Sequence, residues 1–573
     1  MTTSLMPIRI FSFPRDAAKE ALLQTELGIP SAVAAILVRR GYVDPTDADR
    51  FLNPKMDQLG DPRLLPDYAK ARDEILLARE SKQLIFVHGD YDVDGVTSAS
   101  LFARFLDKIG CNVFAHVPHR MKEGYGIHLS AVEKAKEMGA KLFLTCDCGI
   151  GAHEQVEAAL EAGMRVVVTD HHLVGDTLPK AHAIVNPHRS DSLYPFKELC
   201  GAGVVFRLCE GIARELDLPV NKYHDNFLDL AVLGTVADVM PLTGENRIIT
   251  KFGLKSLAST KKKGLIALKN VADLGEKDKL KAGNIGFQLG PRLNATGRID
   301  DAARALKLLM TQDEGEARSL AKEIDDINKD RKDRQKEMVD EAIAYVETLD
   351  IQSLFAIVVG SDQWHPGIIG LVAGRLVEKF GRPSFAMSYD TETGDLRCSA
   401  RSIPGFHLGD AIRAHAHLLS GGGHAMAAGF GARLQDAEQI AESLNAYAGS
   451  KLTSEDFEPI IEVDAEVLEK ELTLKEVIAM EALEPYGQAN PAPTFCVRDC
   501  ILHELVPCRN ESLKARISSP EGGTVTGFYH RETPEWFDPR IAVDAIFKVD
   551  INDWNGVISP QWKIQHLQPS AAQ

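Results

Sequence analysis

The segment LIFVHGDYDVDG, residues 84–95, joins a short apolar run to a histidine and three aspartates. Leu84–Val87 is typical of a buried strand, and the residues from Gly95 to Ile109 have the pattern of a helix. Between them lie His88, Asp90, Asp92 and Asp94. Burying several carboxylates together is very costly without compensation, and a bound cation is the simplest compensation. Carboxylate oxygens with one imidazole suit Mn²⁺ or Mg²⁺ better than Zn²⁺.

The same segment contains the D-x-D-x-D-G spacing of an EF-hand calcium loop, which is the main alternative. An EF-hand needs a glutamate six residues after the glycine and a helix on each side. That position is Leu101 here, and the preceding element is a predicted strand. The pattern therefore favours a metal site at the end of a strand.

Apolar runs and helical stretches alternate after this segment. Strands are predicted at residues 113–115, 141–145, 165–169 and 183–185, and helices at 130–138, 154–162, 203–216 and 227–236. This alternation is typical of a mainly parallel, doubly wound α/β sheet.

Further acids follow the later apolar segments. Asp147 comes just after the strand at 141–145, Asp170-His171-His172 follows the strand at 165–169, and Asp238 ends the apolar run 234–237. Ligands of open α/β sheets bind at the carboxyl ends of the strands. One such residue alone is more often a cap or a hydrogen-bonded polar group, but four sites at one edge indicate a metal centre.

The chain is predicted to be an α/β protein of several domains. A helical N-terminal segment (1–55) precedes the parallel-sheet domain (56–315). Residues 316–349 contain no Gly or Pro, which predicts a long connecting helix (316–350) of about 50 Å. A second α/β domain (351–455) follows. Short strand-like runs at 492–497, 501–506, 524–528, 541–549 and 561–565 predict a C-terminal β-barrel of OB type (456–573).

Composition is that of a globular protein, with 573 residues, 45% of them hydrophobic and 26% charged. The net charge of −17 argues against a generally basic surface for nucleic acid, although a local basic track remains compatible with it. Nine scattered cysteines without a CxxC pair favour a reduced, cytoplasmic protein. Met1–Arg15 lacks the features of a signal peptide, and no apolar run approaches the ~20 residues of a membrane span.

These motifs resemble those of the DHH phosphoesterase superfamily, and most closely its bacterial exonucleases specific for single-stranded DNA. Asp170-His171-His172 is the motif that names the superfamily, and Asp238 matches the next motif. The similarity covers nearly the whole chain. It includes residues 290–298, 364–370 and 399–402 and the stretch Gly421-Gly422-Gly423-His424.

The resemblance implies two divalent cations, Mn²⁺ or Mg²⁺, with Asp147 as the shared ligand. His88 and Asp92 would complete the site of one ion, and Asp94, His171 and Asp238 that of the other. Asp90 and Asp170 would either bind directly or orient ligands through hydrogen bonds. His172, with Asp170, would act next to the scissile phosphate in two-metal hydrolysis.

The resemblance also implies residues that hold the substrate. Gly421, Gly422 and Gly423 are predicted to form a loop whose amides cradle a phosphate. Four arginines are candidates for phosphate contacts as planar forks, although salt-bridged surface arginines are the commoner case: Arg292, Arg298, Arg375 and Arg401. Tyr125 could stack a base or belong to the core. Asn294, His365, Ser399 and His424 complete the candidates. The basic run 329–336 is interpreted as a solvated helix face.

The implied function is the 5′→3′ exonucleolytic hydrolysis of single-stranded DNA to nucleotides, in recombination and repair. The resemblance further implies a monomer that works with single-strand-binding protein and a DNA helicase, away from membranes. An enzyme for short or cyclic oligonucleotides is one alternative, but it would not need the C-terminal barrel. A non-catalytic nucleic-acid-binding scaffold is another, which the complete acid set disfavours.

Overall fold

The computed structural model describes residues 8–275, 279–508, 512–520, 523–529, 534, 537–539, 541–554 and 557–570. The first seven residues of the predicted N-terminal segment lie outside this set. The N-terminal segment contains β1 (Arg9–Ser12), α1 (Ala17–Leu27), α2 (Ser31–Arg39) and α3 (Pro45–Leu52). None of the described helices has an apolar stretch long enough to cross a bilayer.

A five-stranded parallel sheet forms the first domain, in the strand order β3-β2-β4-β5-β6. It confirms the predicted α/β class. Its elements are α4 (Tyr68–Glu80), β2 (Leu84–His88), α5 (Val93–Lys108), β3 (Asn112–His116), α6 (Leu129–Glu137), β4 (Leu142–Cys146), α7 (His153–Glu161), β5 (Arg165–Thr169) and β6 (Ala183–Val185). From β2 the chain continues to β3 on one side, whereas β4 continues to β5 on the other. This change of direction opens a crevice at the carboxyl ends of β2 and β4.

Helices complete the first domain around the same core. They are α8 (Gly201–Glu215), α9 (Val220–Ala237), α10 (Gly244–Ala258), α11 (Lys263–Val271), α12 (Ala282–Asn284), a π-turn (Ile285–Leu289), α13 (Gly290–Ile299) and α14 (Ala303–Met310). The predicted long helix is α15 (Glu314–Val346), which starts at the N-cap Asp313. Its first half is buried in the core of the first domain and its second half in that of the next domain. The helix is therefore part of both domains and not a free spacer.

The second domain has a mixed sheet in the order β10-β11-β9-β8-β7, in which only β7 and β8 are parallel. Its elements are β7 (Ile357–Ser361), α16 (Ile369–Phe380), β8 (Ser384–Asp390), β9 (Asp395–Arg401), α17 (Leu408–Ala414), β10 (Ser420–Gly423), β11 (Ala427–Arg433) and α18 (Ala437–Gly449). The glycine triplet was expected to be a loop, but it is the edge strand β10. A Cβ at Gly421 would lie 2.3 Å from Gly429 O on β11, so the two strands can approach only without side chains there.

The C-terminal region is a closed five-stranded barrel, as predicted. The five barrel strands are β14 (Phe495–Cys508), β15 (Ser512–Ser518), β16 (Thr524–Tyr529), β17 (Ala542–Trp554) and β18 (Val557–Pro569). They are preceded by β12 (Ile460–Val463), β13 (Ala465–Glu466), which pairs with β14, and α19 (Leu474–Ala479). Pairing of β14 with β17 closes the ring. The two strands predicted at 492–497 and 501–506 are one strand, β14, with irregular register near Val497–Cys500 and Leu502–Glu504.

The N-terminal helices belong to the barrel in space. Buried residues of α1–α3 share one apolar core with the barrel strands, and β1 pairs in parallel with β12. Arg247 of α10 connects this unit to the first domain. Its guanidinium donates to the carbonyl oxygens of Phe51, Ala482, Leu483 and Glu484.

Candidate active site

The acidic residues predicted from the sequence meet in the crevice between β2 and β4. Asp92 is the N-cap of α5 and accepts a hydrogen bond from Gly95 N–H at 3.0 Å. Asp94 lies in the first turn of that helix, Asp147 follows β4, and Asp238 caps the end of α9. The start of α5 and the ends of β4 and α9 thus direct acidic side chains from three segments to one edge of the sheet.

His171 is at the centre of the cluster. Its Nε2 atom lies 3.0 Å from Asp147 Oδ1, 3.6 Å from Asp238 Oδ2 and 3.8 Å from Asp94 Oδ2. Two triads have ligand atoms within 4.8 Å of one another: Asp147–His171–His172 and Asp94–His171–Asp238. Ligands about 2.1 Å from one octahedral ion are about 3.0 Å apart, so this spacing fits metal coordination.

Two buried atoms of the cluster lack a hydrogen-bond partner among the described residues: Asp147 Oδ1 and His171 Nε2. Buried polar atoms are seldom left unsatisfied in folded proteins. A carboxylate oxygen and an imidazole nitrogen that face each other without a hydrogen bond are suited to sharing a cation. The residues therefore fit divalent metal binding.

The pKa values of the acids also indicate a site for a divalent cation. Burial, and then the charges of Asp94 and Asp92, raise the pKa of Asp147 well above its ordinary value. The same causes, in the same order, raise the pKa of Asp238 to about 8. Burial and the neighbouring Asp92 also raise the pKa of Asp90. These carboxylates repel one another, and a divalent cation would relieve that repulsion.

Two glycines that the sequence analysis missed make room for the acids. A Cβ at Gly201 would lie 2.5 Å from Asp147 Cβ, and one at Gly234 would lie 2.3 Å from Asp94 Oδ1. The backbone N–H groups of Gly201 and Ala202, at the start of α8, donate to Asp94 at 2.6 and 2.9 Å. These glycines could have been noticed in the sequence. Glycine destabilises a helix, so a glycine in an apolar helical segment suggests that another group packs closely against it.

His88 differs from its predicted role as a ligand. Its Nε2 lies 3.1 Å from Gly126 O, and its Nδ1 lies 3.1 Å from His116 Nδ1. Burial lowers the pKa of His88 to about 4, so the ring is neutral. Nε2 must carry the proton to donate to a carbonyl oxygen, and a protonated nitrogen cannot bind a metal. In this structure His88 supports the turn behind the acids, and Asp90 does the same by accepting from Gly126 N–H at 3.2 Å.

Asp170 accepts hydrogen bonds from protein donors, which supports the orienting role among its predicted roles. Its Oδ1 accepts from the backbone N–H groups of His171 and His172 at 2.7 and 3.1 Å and from His172 Nδ1 at 2.8 Å. Its Oδ2 accepts from Ile150 N–H at 2.9 Å. Burial lowers the pKa of His172, but the bond to Asp170 outweighs it and raises that pKa to about 9. Asp170 therefore orients His172 and keeps it cationic.

Tyr125 has its hydroxyl 3.2 Å from His172 Nδ1, and the side chain is 53% exposed. It is not a core tyrosine. The predicted stacking of a base on its ring is compatible with that exposure, while the hydroxyl gives the residue a second contact at the metal centre.

A second cluster is formed by arginines from both domains. Burial, and then the charges of Arg120, Arg331 and Arg401, lower the pKa of Arg298 to about 10. Burial, and then Arg120, lower the pKa of Arg401. Within the described ranges, none of these four arginines forms an ion pair with an acid. Guanidinium groups gathered without counter-charges are suited to an anionic ligand such as phosphate.

Several predicted substrate residues surround this cluster. Arg298 donates to Gly367 O at 3.3 Å, and His365 Nδ1 accepts from Gly367 N–H at 3.1 Å. Ser399 Oγ lies 3.5 Å from Arg401 Nη1, near the start of α16. Asn294 Oδ1 accepts from Val93 N–H at 3.2 Å, which connects α13 to the acidic segment.

Other predicted substrate residues are not brought into the cluster. Arg292 donates to Asp325, Gln288 O and Val271 O, so its guanidinium is a structural link between α13 and α15. Arg375 pairs with the exposed Glu378 and lines a groove of about 520 Å³ that also contains Phe287. Gly421–Gly423 pair with β11 as an edge strand, and His424 is exposed.

Two members of the arginine cluster were missed. Arg120 lies on the loop between β3 and α6. Arg331 belongs to the run interpreted as a solvated face, yet it is only 8% exposed. The signal for Arg331 is its spacing of seven residues from the buried Ile324 and Met338, which puts all three on one face of α15.

Comparisons with known proteins agree with this architecture. Family models match residues 84–235 (DHH family, N-terminal domain), 350–450 (DHHA1 domain) and 463–566 (RecJ OB domain). The single-stranded-DNA-specific exonuclease RecJ of Bacillus subtilis is 38% identical over 556 residues, which are 96% of this chain and 69% of the relative. RecJ of Escherichia coli is 36% identical over 515 residues, or 86% of this chain and 88% of the relative.

The crystal structure of RecJ from Thermus thermophilus in complex with Mn²⁺ has a TM-score of 0.85 to this chain. It is 28% identical, and the match covers 100% of this chain and 81% of the other. The order of the three domain models and the extent of the similarity show that the chain belongs to the RecJ family of single-stranded-DNA-specific exonucleases.

Proposed function

We propose that the chain hydrolyses single-stranded DNA from the 5′ end and releases nucleotides, using two divalent cations held by Asp92, Asp94, Asp147, His171 and Asp238. The observation that carries the proposal is the unsatisfied pair Asp147 Oδ1 and His171 Nε2, 3.0 Å apart and next to Asp94 and Asp238. The 5′ polarity rests on the family resemblance. The domain limits 56–315, 316–350, 351–455 and 456–573 remain part of the proposal, with 1–55 packed against the last of them.

Mn²⁺ or Mg²⁺, when bound, would generate hydroxide from water and stabilise charge on the attacking and leaving oxygens. The choice of these ions is supported by the donor set and by two crystal structures of RecJ from Thermus thermophilus, one with Mn²⁺ and one with Mg²⁺. Asp147 is the candidate for the shared ligand because its pKa is raised by burial and then by the charges of three other candidate ligands, Asp94, Asp92 and Asp238.

The protein's own groups would act on the phosphate. In the metal-free protein the bond to Asp170 outweighs burial and raises the pKa of His172 to about 9, and a protonated His172 can donate a hydrogen bond to a non-bridging phosphate oxygen. Tyr125 holds that ring through its hydroxyl. Asp170 would act through His172, since its carboxylate accepts from His172 Nδ1 and from the backbone N–H groups of Ile150 and His171.

Arg120, Arg298, Arg331 and Arg401 would bind the phosphates of the strand. Arg298 comes from the first domain, Arg401 from the second and Arg331 from the helix that joins them. A strand held by all of them has to pass between the two domains. This arrangement suits a single strand of DNA. In a duplex, the complementary strand would also have to fit between the two domains.

We also propose that the protein works in the cytoplasm as a monomer, with single-strand-binding protein and a DNA helicase as partners. All nine cysteines are free, which suits a reducing compartment. The partner proteins rest on the resemblance alone, and analytical ultracentrifugation with and without a single-strand-binding protein would test both the monomer and the association.

The experiment that tests the function is product sizing over time on single strands labelled at the 5′ or the 3′ end, with Mn²⁺, Mg²⁺ or EDTA. We expect labelled mononucleotide at the earliest times from the 5′ label, shortening fragments from the 3′ label, and no product in EDTA. A matched duplex is the control substrate. Internal cleavage products at early times, or equal rates on the duplex, would contradict the proposal.

A further inference from the structure

The connection between β3 and α6, residues 117–128, reaches both clusters of the proposed active site. We call it the β3–α6 loop. Arg120 belongs to the arginine cluster and lies with its guanidinium 5.0 Å from the centre of the Tyr91 ring. Tyr125 contacts His172, and Gly126 bonds to both Asp90 and His88. The conformation of this loop therefore decides whether phosphate-binding and metal-binding groups are aligned.

Glu123 holds the loop in that conformation. Its Oε2 accepts from the backbone N–H of His119 at 2.7 Å, and its Oε1 accepts from Ser130 Oγ at 2.5 Å. His119 directly precedes Arg120, while Ser130 lies in the first turn of α6. One side chain thus ties the start of the loop to the helix at its end. The backbone bonds Glu123 N–H to His119 O and Gly124 N–H to Arg120 O close the turn between them.

The surroundings of Glu123 favour its ionised form. Burial raises its pKa, but the bonds from Ser130 and from the His119 backbone, together with the nearby rings of His116 and His128, lower it overall. An ionised carboxylate can accept both hydrogen bonds at once. Within the described ranges Glu123 forms no ion pair with a lysine or arginine, so both of its oxygens serve the loop.

We propose that Glu123 is a positioning residue of the exonuclease: by tying His119 to Ser130 it holds Arg120 in the arginine cluster, where Arg120 binds a substrate phosphate. This inference rests on the proposed function of that cluster. The sequence analysis did not single out Glu123, and its carboxylate does not belong to the metal-binding triads. Its effect on the reaction is through the loop.

The test is a double-mutant cycle between Glu123 and Arg120, measured as kcat/KM on a single strand at fixed salt and saturating Mn²⁺. Glu123→Ala should lower kcat/KM by about 10- to 100-fold, because small displacements of positioning groups have effects of this size. Most of the loss should be in KM. Arg120→Ala should cause a similar loss, and Glu123→Ala/Arg120→Ala should fall within about twofold of Arg120→Ala, because residues that act through one another are not additive.

Two variants separate positioning from general destabilisation. Glu123→Gln keeps an acceptor for His119 N–H and leaves an amide that Ser130 Oγ can accept from, so activity should stay within about threefold of wild type. Lys122→Ala, at an exposed neighbour, should have no effect. Thermal melting and the calorimetric affinity for Mn²⁺ should be the same for all variants, since the ligands are untouched.

The outcomes are distinct. If Glu123→Ala keeps wild-type kcat/KM, or if its loss multiplies with that of Arg120→Ala, the positioning role is wrong. If the losses are non-additive but Mn²⁺ affinity falls with them, Glu123 acts through the metal side of the loop and the inference is also wrong. If wild type itself does not degrade single strands, the proposed function fails before this inference is tested.

Discussion

The acid cluster and the arginine cluster are opposite in charge and alike in construction. In the first, burial and mutual repulsion raise the pKa values of Asp147 and Asp238. In the second, burial and neighbouring guanidinium groups lower the pKa of Arg298. Other buried charges are either paired, as Arg207 is with Glu210 and Lys262 with Asp229, or bonded to backbone carbonyl oxygens, as Arg247 is. Under the proposed function, the compensating charges of the two clusters would be supplied by the cations and by the DNA.

The comparison predicts that Asp147 contributes to activity at the expense of metal-free stability. Asp147→Asn should lower kcat by at least about 10³-fold at saturating Mn²⁺, since it removes the shared ligand. Asparagine is the better replacement than alanine because Asp147 has φ 61°, a conformation that Asn tolerates. Activity assays and thermal melting in EDTA are the measurements. The melting temperature should be unchanged or higher, and a lower one would show that Asp147 is not repelled in the metal-free state.

The second prediction concerns the metal-free protein as pH changes. Asp238 has a pKa of about 8 in the folded state, against about 3.9 in an unfolded chain. Between these values the folded state binds more protons than the unfolded state, so the free energy of unfolding falls as pH rises. The slope is up to about 1.4 kcal/mol per pH unit for one such group. Urea unfolding in EDTA from pH 5 to 8 measures it. Saturating Mn²⁺ should remove this slope, and a slope that persists would assign it to other groups.

The third prediction contrasts two arginines of one helix, α13. Arg298→Met should lower kcat/KM by about 10- to 150-fold, since hydrogen bonds to charged groups contribute about 1.5–3 kcal/mol. Its stability should not fall. Arg292→Met should leave Asp325 with only Lys329 as an ion-pair partner, and cost about 2 kcal/mol of stability with little loss of activity. Steady-state kinetics of both variants measure the loss of activity, and urea unfolding measures the loss of stability. If Arg298→Met instead lowered stability and Arg292→Met lowered activity, the arginine cluster would have a structural role.

The smallest expected effect is in the barrel, which would contact bases and not phosphates. Four aromatic residues of the C-terminal region are candidates to stack on bases: Tyr486, Phe495, Phe528 and Tyr529. Phe495 and Tyr529 are buried in the core, and Tyr486 is partly buried and donates from its hydroxyl to Met480 O. Phe528 remains half-buried on β16. Phe528→Ala should weaken binding of a long strand about fivefold, near the lower limit for stacking on an aromatic residue. The salt dependence of its KM should match wild type, whereas Arg298→Met should lower the slope by about one. Fluorescence anisotropy over a salt series tests this difference.

The acid cluster was largely predictable because local rules determine it. Asp94, Asp147 and His171 each follow a strand of a parallel sheet, and such positions converge by topology. The surroundings of His88 were not predictable, because Gly126 and His116, which face its two ring nitrogens, are not near it in sequence. Its role as a ligand stays a prediction. The sequence also does not distinguish the ion-paired Arg292 from Arg298 of the arginine cluster. The difference depends on whether an acid such as Asp325 lies opposite the guanidinium.

Long-range packing was the part that sequence patterns did not reveal. Helix α2 has the continuous apolar run Ala32–Leu37, which indicates that a partner covers it but not which one. Its partner is the barrel at the other end of the chain. This also changes how the barrel can be tested: removing everything after about Ser454 would expose the buried faces of α1–α3, so single substitutions such as Phe528→Ala are better tests.

That shared core has a consequence for the synthesis of the protein. Ser31, at the start of α2, donates a hydrogen bond to Glu471, which is 440 residues further along. At about 5–20 residues per second, a ribosome needs roughly 20–90 s to cover that distance. During this interval the nuclease domain can fold, while the apolar side of α2 stays exposed because the barrel has not yet been synthesised. Helices α1–α3 are thus synthesised well before the barrel that buries them, and we expect a nascent chain of this protein to recruit chaperones there.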